Sequence, residues 1–360
     1  MTITADEMRR YARHLSLPEV GLPGQLKLKS AKVLVVGAGG LGHPVALYLA
    51  AAGVGTLGLM DGDHISFSNL QRQVLFATDQ VGQGKVEVLA KRLEALNPDV
   101  AIQSHSHHIS AHNAADFLTN YDLVVDCTDN FQARYLLNDA CVAVQKPLVF
   151  GAISRFDGQV SVFAVPGGPC YRCLYPEPPP IEAVPNCAES GVLGVLPGVV
   201  GTLMATEALK LILQIGEPLV GTMLFYDALA ANFSRLSFEK NLQCTGCGPL
   251  RIQKTLKGVK DFCALDKVEL KSLKAQFPHL ILLDVRSMAE AKESPVTGAL
   301  LVPLDQLARQ ASGIPKDQPV IAICQSGRRS ARALEILSSA GFKNLRHLAG
   351  GLDHNPEIEI

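Results

Sequence analysis

The sequence predicts an α/β protein in two parts: a larger, doubly wound, mostly parallel sheet with helices on both faces, then a smaller α/β unit. Three observations carry that prediction. Short apolar runs rich in Val and Leu alternate with helical stretches through the first part of the chain. The turn after the first run is glycine-rich and opens a helix, which is the start of a βαβ unit. Beyond a basic, weakly periodic stretch at residues 250–261, a fresh strand–helix alternation begins.

The elements follow in order. Residues 6–29 read as helix and loop, with Arg9-Arg-Tyr-Ala-Arg-His14 followed by Leu17-Pro-Glu-Val-Gly-Leu-Pro-Gly24. Lys32 to Val36 is a strand, Pro44 to Ala52 a helix and Thr56 to Met60 a second strand. Asp122 to Cys127 is another apolar strand, followed by a polar turn and a helix from Phe131 to Val144. After Pro147 come strands at Leu148–Ala152 and Gln159–Ala164, a proline-rich loop at Tyr175–Ile181, and an apolar helix near residues 198–215. The second part holds Ile281-Leu-Leu-Asp-Val-Arg286, Gly298-Ala-Leu-Leu-Val-Pro-Leu304, and a strand, loop and helix around Cys324. The expected domains are residues 1–255 and 256–360.

Composition narrows the function. The chain is 48% hydrophobic and 19% charged, as ordinary globular domains are, and its 360 residues accommodate two of them. A net charge of −1 offers no electrostatic case for nucleic acid or an anionic membrane. The N-terminus, MTITADEMRR, lacks an apolar signal core, so a cytoplasmic setting is expected. Ser190 to Thr206 is uncharged, but it is short, contains Pro197 and runs into Glu207 and Lys210, so it is read as a buried helix or an interface. Nine cysteines in such a chain point to metal binding or thiol chemistry rather than disulfides.

Gly37-Ala-Gly39-Gly40-Leu-Gly42 fits G-x-G-x-x-G between strand and helix, the phosphate-binding turn of Rossmann-like sheets. Asp61 ends the second strand, where a ribose-binding acid is expected. Taken alone the motif favours NAD or FAD. Ser68-Asn69-Leu-Gln-Arg72-Gln73 and Lys85, which opens another helix, add cations that suit a triphosphate better. Asp126-Cys-Thr-Asp129-Asn130 sets acids at the carboxyl end of a parallel strand, where they can hold Mg²⁺ through phosphate oxygens. As a set these residues favour ATP.

From about Asp6 to Gly248 the chain resembles the MoeB/ThiF/HesA group, relatives of the ubiquitin-activating enzymes. The resemblance rests on Arg10-Tyr-Ala-Arg13, the glycine loop, Asp61-Gly-Asp63, Asn69-Leu-Gln-Arg-Gln73, Asp126 to Asn130, and two cysteine pairs. It implies adenylation of the C-terminal Gly-Gly carboxylate of a ubiquitin-like sulfur carrier, using ATP and Mg²⁺. Asp61 would then bind ribose, Arg72 and Lys85 phosphates, and Asp129 Mg²⁺. Gly37, Gly39, Gly40, Gly42, Asp63, Asn69, Gln73 and Asn130 would complete the nucleotide site. Arg13 would reach the ATP of a partner subunit, which makes a homodimer the expected assembly. No general base is required, because the attacking carboxylate is already ionised.

Cys170-Tyr-Arg-Cys173 and Cys244-Thr-Gly-Cys247 are two C-x-x-C hooks with 70 residues between them. Four thiolates in two hooks make a closed, structural zinc site, and the resemblance implies one Zn²⁺ per chain here. Cys187, after the proline-rich loop, is either a small packed residue or a mobile nucleophile. The resemblance implies the second role, as an acyl-disulfide or thioester-like link to the carrier. Cys127, Cys141 and Cys263 read as packing residues. His105, His107 and His108 read as a solvated strand edge rather than a metal site.

Cys324-Gln-Ser-Gly-Arg-Arg-Ser330 stands between a strand and a helix N-terminus, an environment of amide donors that lowers a thiol pKa and holds an anion. A C-x₅-R phosphatase needs Arg at position 330, which is Ser. With Arg329 closing a six-residue loop, residues from about 262 onward resemble rhodanese sulfurtransferases, supported by Asp284-Val-Arg286 and Leu348-Ala-Gly-Gly-Leu-Asp353. The resemblance implies a persulfide on Cys324, its terminal sulfur cradled by loop amides and Arg329. Rhodaneses commonly continue into a further helix where this chain has only residues 352–360 after Gly351.

Joined, the two resemblances imply that the carrier is adenylated and then converted to a thiocarboxylate, with sulfur from a donor such as a cysteine desulfurase or thiosulfate. Molybdopterin, thiamin, thiolated tRNA and cysteine are the candidate destinations. The rival readings are an NAD-binding thiol oxidoreductase, a non-catalytic scaffold that binds nucleotide and carrier, and ubiquitin-like protein conjugation.

Overall fold

The computed structural model describes residues 2–111, 113–178, 191–248, 264–265, 270, 274, 277, 279–342, 344–348 and 350–354. Cys187, Cys263 and the 250–261 stretch lie outside the described residues. The chain forms two compact units, Met1–Gly258 and Val259–Ile360.

The first unit opens with three helices, α1 (Ala5–Arg10), α2 (Ala12–Leu15) and α3 (Gly21–Ser30). Then β1 (Lys32–Val36), α4 (Gly42–Ala51) and β2 (Thr56–Met60) form the expected βαβ unit. They are followed by α5 (Lys85–Leu96), β3 (Ala101–His105), α6 (Ala114–Thr119), β4 (Leu123–Asp126) and α7 (Phe131–Val144). The unit continues with β5 (Leu148–Ser154), β6 (Asp157–Phe163), α8 (Tyr171–Leu174), α9 (Leu196–Leu213), β7 (Thr222–Asp227) and β8 (Asn232–Ser237). The sheet order is β3-β2-β1-β4-β5-β6-β7-β8. Neighbours from β3 to β5 pair in parallel, and β5 to β8 pair antiparallel. The winding therefore reverses between β1 and β4, which is where doubly wound sheets open a ligand crevice.

Burial on both faces explains the unbroken apolar runs. Val33 and Val35 of β1 pack with Leu28, Val45, Leu49, Leu89 and Met204 on one side. Leu34 and Val36 pack with Leu118, Tyr135, Leu137 and Phe150 on the other. The apolar helix starts two residues earlier than expected, at Leu196, and packs against α4, β5 and β6. Its length and mean hydropathy of 1.5 would suit a membrane span, yet Val200, Met204 and Ala208 are core residues. Glu207 is also buried in it, accepting from Lys210 at 2.5 Å and from the Leu219 amide at 2.8 Å. The helix after the glycine loop starts at Gly42 rather than Pro44, because proline fits the first turn of a helix, where its missing N–H removes no bond.

The second unit holds β9 (Ala264–Leu265), β10 (Ile281–Asp284), α10 (Met288–Glu293), β11 (Leu300–Leu301) and α11 (Leu304–Gln310). β12 (Val320–Ile323), α12 (Arg328–Ser339), β13 (Leu345–Leu348) and α13 (Gly351–His354) follow. Its sheet order is β11-β10-β12-β13-β9, with parallel pairing throughout. Leu283, Val320, Ala322 and Cys324 pack with Ala333, Leu334 and Leu337 of α12. Arg286 is fully buried, and its Nη2 lies 2.7 Å from Asp284 Oδ2 and 2.8 Å from the Ser294 carbonyl. The Asp284-Val-Arg286 motif thus fastens the exit of β10.

One glycine sets the closest approach in the first unit. Gly37 has φ +100°, and a Cβ there would lie 2.7 Å from the Cys127 carbonyl oxygen. Gly37→Ala is expected to destabilise the chain by about 2 kcal/mol or more. The readout is a lower urea midpoint at unchanged m-value.

Candidate functional site

The glycine loop joins the end of β1 to α4, so the free amides of the α4 N-terminus open onto the crevice between β1 and β4. Gly42 follows the same sterics as Gly37: a Cβ would lie 2.0 Å from the Gly37 carbonyl oxygen. Asp61, at the end of β2, is buried and accepts from the amides of Ala38 and Asp63, both at 2.8 Å. It ties the glycine loop to the neighbouring strand. Lys85, the first residue of α5, is also buried, with Nζ 2.7 Å from Asp63 Oδ2 and 4.0 Å from Asp61 Oδ2. Burial pushes the Asp61 carboxyl up, while Lys85 pulls against it. His108 brings Nε2 to 3.5 Å from Asp63 Oδ1, so one member of the histidine run faces this cluster.

The other nucleotide-site candidates surround the same crevice. The stem of Arg72 passes over Gly40, and its Nη1 donates to the Ser68 carbonyl at 3.0 Å. Gln73 is buried with Oε1 unpartnered among the described residues. Asn69 accepts from the Ser66 amide at 3.1 Å, and Asn130 caps α7 by accepting from the Ala133 amide at 2.8 Å. The acids after β4 divide by environment. Asp126 is fully buried and accepts from the Thr128 amide (2.9 Å) and hydroxyl (2.6 Å), whereas Asp129 is exposed beyond the strand. Burial raises the pKa of Asp126 and Arg134 opposes that rise. Arg13, in α2, is exposed, with no hydrogen bond or ion pair among the described residues.

Sequence reasoning passed over His43. It is fully buried in the first turn of α4, accepts from the Leu75 amide at 3.1 Å and stands edge-on to Phe76. Burial pushes its pKa down to about 3, so it is neutral. It anchors the segment that carries Arg72 and Gln73. The described chain resumes after the Cys187 segment beside this loop. Pro197 would lie 3.0 Å from a Cβ on Gly40, and Gly194 packs on the Gln71 backbone.

Cys170, Cys173, Cys244 and Cys247 converge although 70 residues separate the two hooks. Their sulfurs stand 3.6 Å (Cys170 to Cys244), 3.4 Å (Cys173 to Cys247) and 4.0 Å (Cys170 to Cys173) apart. Tetrahedral zinc with Zn–S bonds of about 2.3 Å places its sulfurs about 3.8 Å apart, so the cluster fits that ion. Amides of Asn241 and Gly246 point at Cys173 and Cys244, at 3.4 and 3.3 Å. Burial and the three other thiols drive the Cys170 pKa far up, and burial and Cys173 lift Cys247 to about 11. Four such thiolates need a cation between them.

In the second unit, Cys324 follows β12 directly and is fully buried. Its Sγ accepts from the Ser330 amide at 3.3 Å and lies 3.6 Å from Ser330 Oγ. Ser330 Oγ donates to the Gly327 carbonyl at 2.8 Å and stands 3.4 Å from His347 Nδ1 on β13. The α13 turn clasps the loop from outside, its Leu352 and Asp353 amides bonding the carbonyls of Cys324 and Gln325 at 2.9 and 2.8 Å. Arg329 turns its guanidinium onto Glu290 of α10, with Nη1 2.6 Å from Oε2 and Nη2 2.5 Å from Oε1. That pairing holds the Glu290 carboxyl down at about 2. Ser330 was read in the sequence only as the residue standing where a phosphatase needs Arg, and His347 and Glu290 went unread. Only Glu290 had a local signal, as the third helical residue after the Ser287 cap, where it closes a capping box.

Comparison with known proteins places both units in known families. Residues 11–246 match the ThiF family and residues 266–354 the rhodanese-like domain. A sulfur carrier protein adenylyltransferase of Thermus thermophilus is 54% identical over 74% of this chain and 100% of its own. A probable adenylyltransferase/sulfurtransferase MoeZ of Mycobacterium tuberculosis is 42% identical over 97% of this chain and 93% of its own. The adenylyltransferase and sulfurtransferase MOCS3-2 of Zea mays is 38% identical over 100% of this chain and 82% of its own. Among solved structures, E. coli MccB with succinimide shares the fold at TM-score 0.58 and 25% identity, over 68% of this chain and 77% of that one. The chain belongs to the ThiF family of adenylyltransferases and carries a C-terminal rhodanese-like domain, the arrangement of the MoeZ- and MOCS3-like adenylyltransferase/sulfurtransferases.

Proposed function

We propose that the first unit adenylates the C-terminal Gly-Gly carboxylate of a ubiquitin-like sulfur carrier protein, and that the second unit supplies the sulfur which converts it to a thiocarboxylate. The observation that carries this reading is Lys85. A buried ammonium at the first turn of α5, held by Asp63 and Asp61 beside the glycine loop, is a charge ready for a phosphate. A dinucleotide site working through amides alone has no use for it.

In this reading ATP lays its phosphates along the glycine loop at the α4 N-terminus. Asp61, at the carboxyl end of β2, binds the ribose. The glycine carboxylate attacks the α-phosphorus, the bond to the β-phosphate breaks, and pyrophosphate leaves. Arg72 and Lys85 offset the charge that builds on the departing oxygens. Asp129, exposed past β4, is assigned to hold Mg²⁺ through phosphate oxygens, and the ion would add further charge neutralisation there. Arg13 would act on the ATP of a partner subunit in a homodimer, which accords with its exposure.

Cys324 then carries the sulfur. Its thiolate takes the sulfane sulfur of a donor such as thiosulfate or a cysteine desulfurase persulfide. The resulting terminal sulfur displaces AMP at the glycyl carbonyl, or the Cys187 thiolate where that has taken the acyl group, and leaves an acyl disulfide between the carrier and Cys324. An external dithiol then cleaves that S–S bond, is oxidised to its disulfide, and releases the carrier thiocarboxylate and the Cys324 thiolate. Cys187 is assigned to hold the carrier between the two steps, and the described chain on its C-terminal side meets the glycine loop at Gly40. A reducing, cytoplasmic setting keeps all these thiols free.

Three outcomes test the proposal. The chain should exchange pyrophosphate into ATP only when a carrier ending in Gly-Gly is present, and Asp129→Asn should slow exchange by about 100-fold; no exchange with any such carrier would refute the adenylation half. Cys324→Ser should leave exchange intact and abolish the thiocarboxylate seen by intact mass. Purified chain should hold one zinc ion, which Cys173→Ala should remove together with a fall in thermal midpoint.

A further inference from the structure

The contacts of the Cys324 sulfur point to a residue to which the sequence pattern gave no role at the sulfur. Ser330 is completely buried and approaches Sγ twice, through its amide at 3.3 Å and its hydroxyl at 3.6 Å. The hydroxyl has one proton and three partners: Sγ, the Gly327 carbonyl at 2.8 Å and His347 Nδ1 at 3.4 Å. In the thiol state Sγ–H donates to Oγ and Oγ–H donates to Gly327. Once the thiol ionises, Sγ needs a donor, and a rotation about the Ser330 side chain supplies one.

The geometry assigns Ser330 as the positioning residue for Cys324, its hydroxyl turning from the Gly327 carbonyl to Sγ when the sulfur becomes an anion, with His347 Nδ1 donating to Oγ in that state. This inference rests on the persulfide reading of Cys324. The same hydroxyl steadies Sγ at both points where it is anionic: as the thiolate that attacks the donor, and as the thiolate left when the outer sulfur has been passed on.

The other charged groups around the ring are already committed. Arg329, from α12, is gripped by Glu290 of α10, and Asp284 of β10 is paired with Arg286. Both Glu290 and Asp284 act on Arg329 along with Cys324, so its positive charge is shared among three groups. Gln325 at the loop entry is tied to Asp353 of α13 at 2.6 Å. His347, from β13, has its pKa lowered by burial against a raising hydrogen bond to the Gly327 backbone, so it brings a neutral ring whose N–H is shared between that backbone and Ser330. Among the described residues, the Ser330 hydroxyl is the side-chain donor beside the sulfur that a rotation away from the Gly327 carbonyl can turn to it.

The test uses the full chain with thiosulfate as donor. In the step measured, the Cys324 thiolate forms a bond to the sulfane sulfur, the S–S bond of thiosulfate breaks, and sulfite leaves with the bonding pair. Persulfide formation is followed by intact mass, and kcat/KM is recorded against pH for the wild type, Ser330→Ala and Ser330→Thr. Ser330→Ala should move the alkaline-rising limb up by about one pH unit, because a charge-assisted hydrogen bond to the thiolate is lost. Its rate should approach that of the wild type above that limb, and Ser330→Thr should restore the wild-type limb. A Ser330→Ala rate lowered by one constant factor at every pH would overturn the assignment, since packing damage acts that way. So would a wild-type limb unmoved in Ser330→Ala. A wild-type chain that gains no sulfur on Cys324 would overturn the persulfide reading and this inference together.

Discussion

The larger unit depends on how closely the backbone leaving β1 passes the backbone leaving β4. At Gly37 there is no room for a Cβ beside the Cys127 carbonyl, and at Gly42 none beside Gly37 itself. That compression brings the first turn of α4 to the mouth of the crevice between β1 and β4, where the winding of the sheet reverses. Asp61 then fastens the loop to β2 through the Ala38 amide. Asp61, the amides of the α4 N-terminus and the exposed Asp129 therefore share one edge for a reason of backbone sterics, before any ligand chemistry is considered.

Charge at that edge is balanced within the protein. Asp61, Asp63 and Lys85 make a compact cluster, and His108 adds to its rim. Such a cluster satisfies buried ions that would otherwise be costly, and it leaves a cation that an incoming phosphate can share. The second unit follows the same logic with Arg329 and Glu290. Its anion-binding ring has a guanidinium already paired, which fits a singly charged sulfur better than a doubly charged phosphate. The four-cysteine cluster is the third case: its sulfurs crowd to zinc-like spacing and need a cation to do so.

Much was legible from the chain alone. Unbroken apolar runs such as Lys32 to Val36 marked strands buried on both faces, and the observed β1 alternates its residues between two cores. The glycine spacing, Asp61 at a strand end and the Cys324 loop are local patterns that fall on the elements expected of them, and the two C-x-x-C hooks are legible as local patterns too. The antiparallel run from β5 to β8 was not legible, because strand direction depends on connections and not on periodicity. The likeness of Asp126 and Asp129 in the sequence was misleading in a similar way. Three residues apart, one is sealed in the sheet and the other faces solvent.

The sequence by itself determined which chemistries the chain can carry, since glycines, thiols and carboxylates at fixed short spacings act through local backbone geometry. Tertiary structure decided which of those groups meet. Cys170 and Cys244, Arg329 and Glu290, and Ser330 and His347 are brought together by strand order and helix packing. Contacts between residues far apart in the chain leave no mark in a local pattern, because the free energy that selects them belongs to the packed core as a whole.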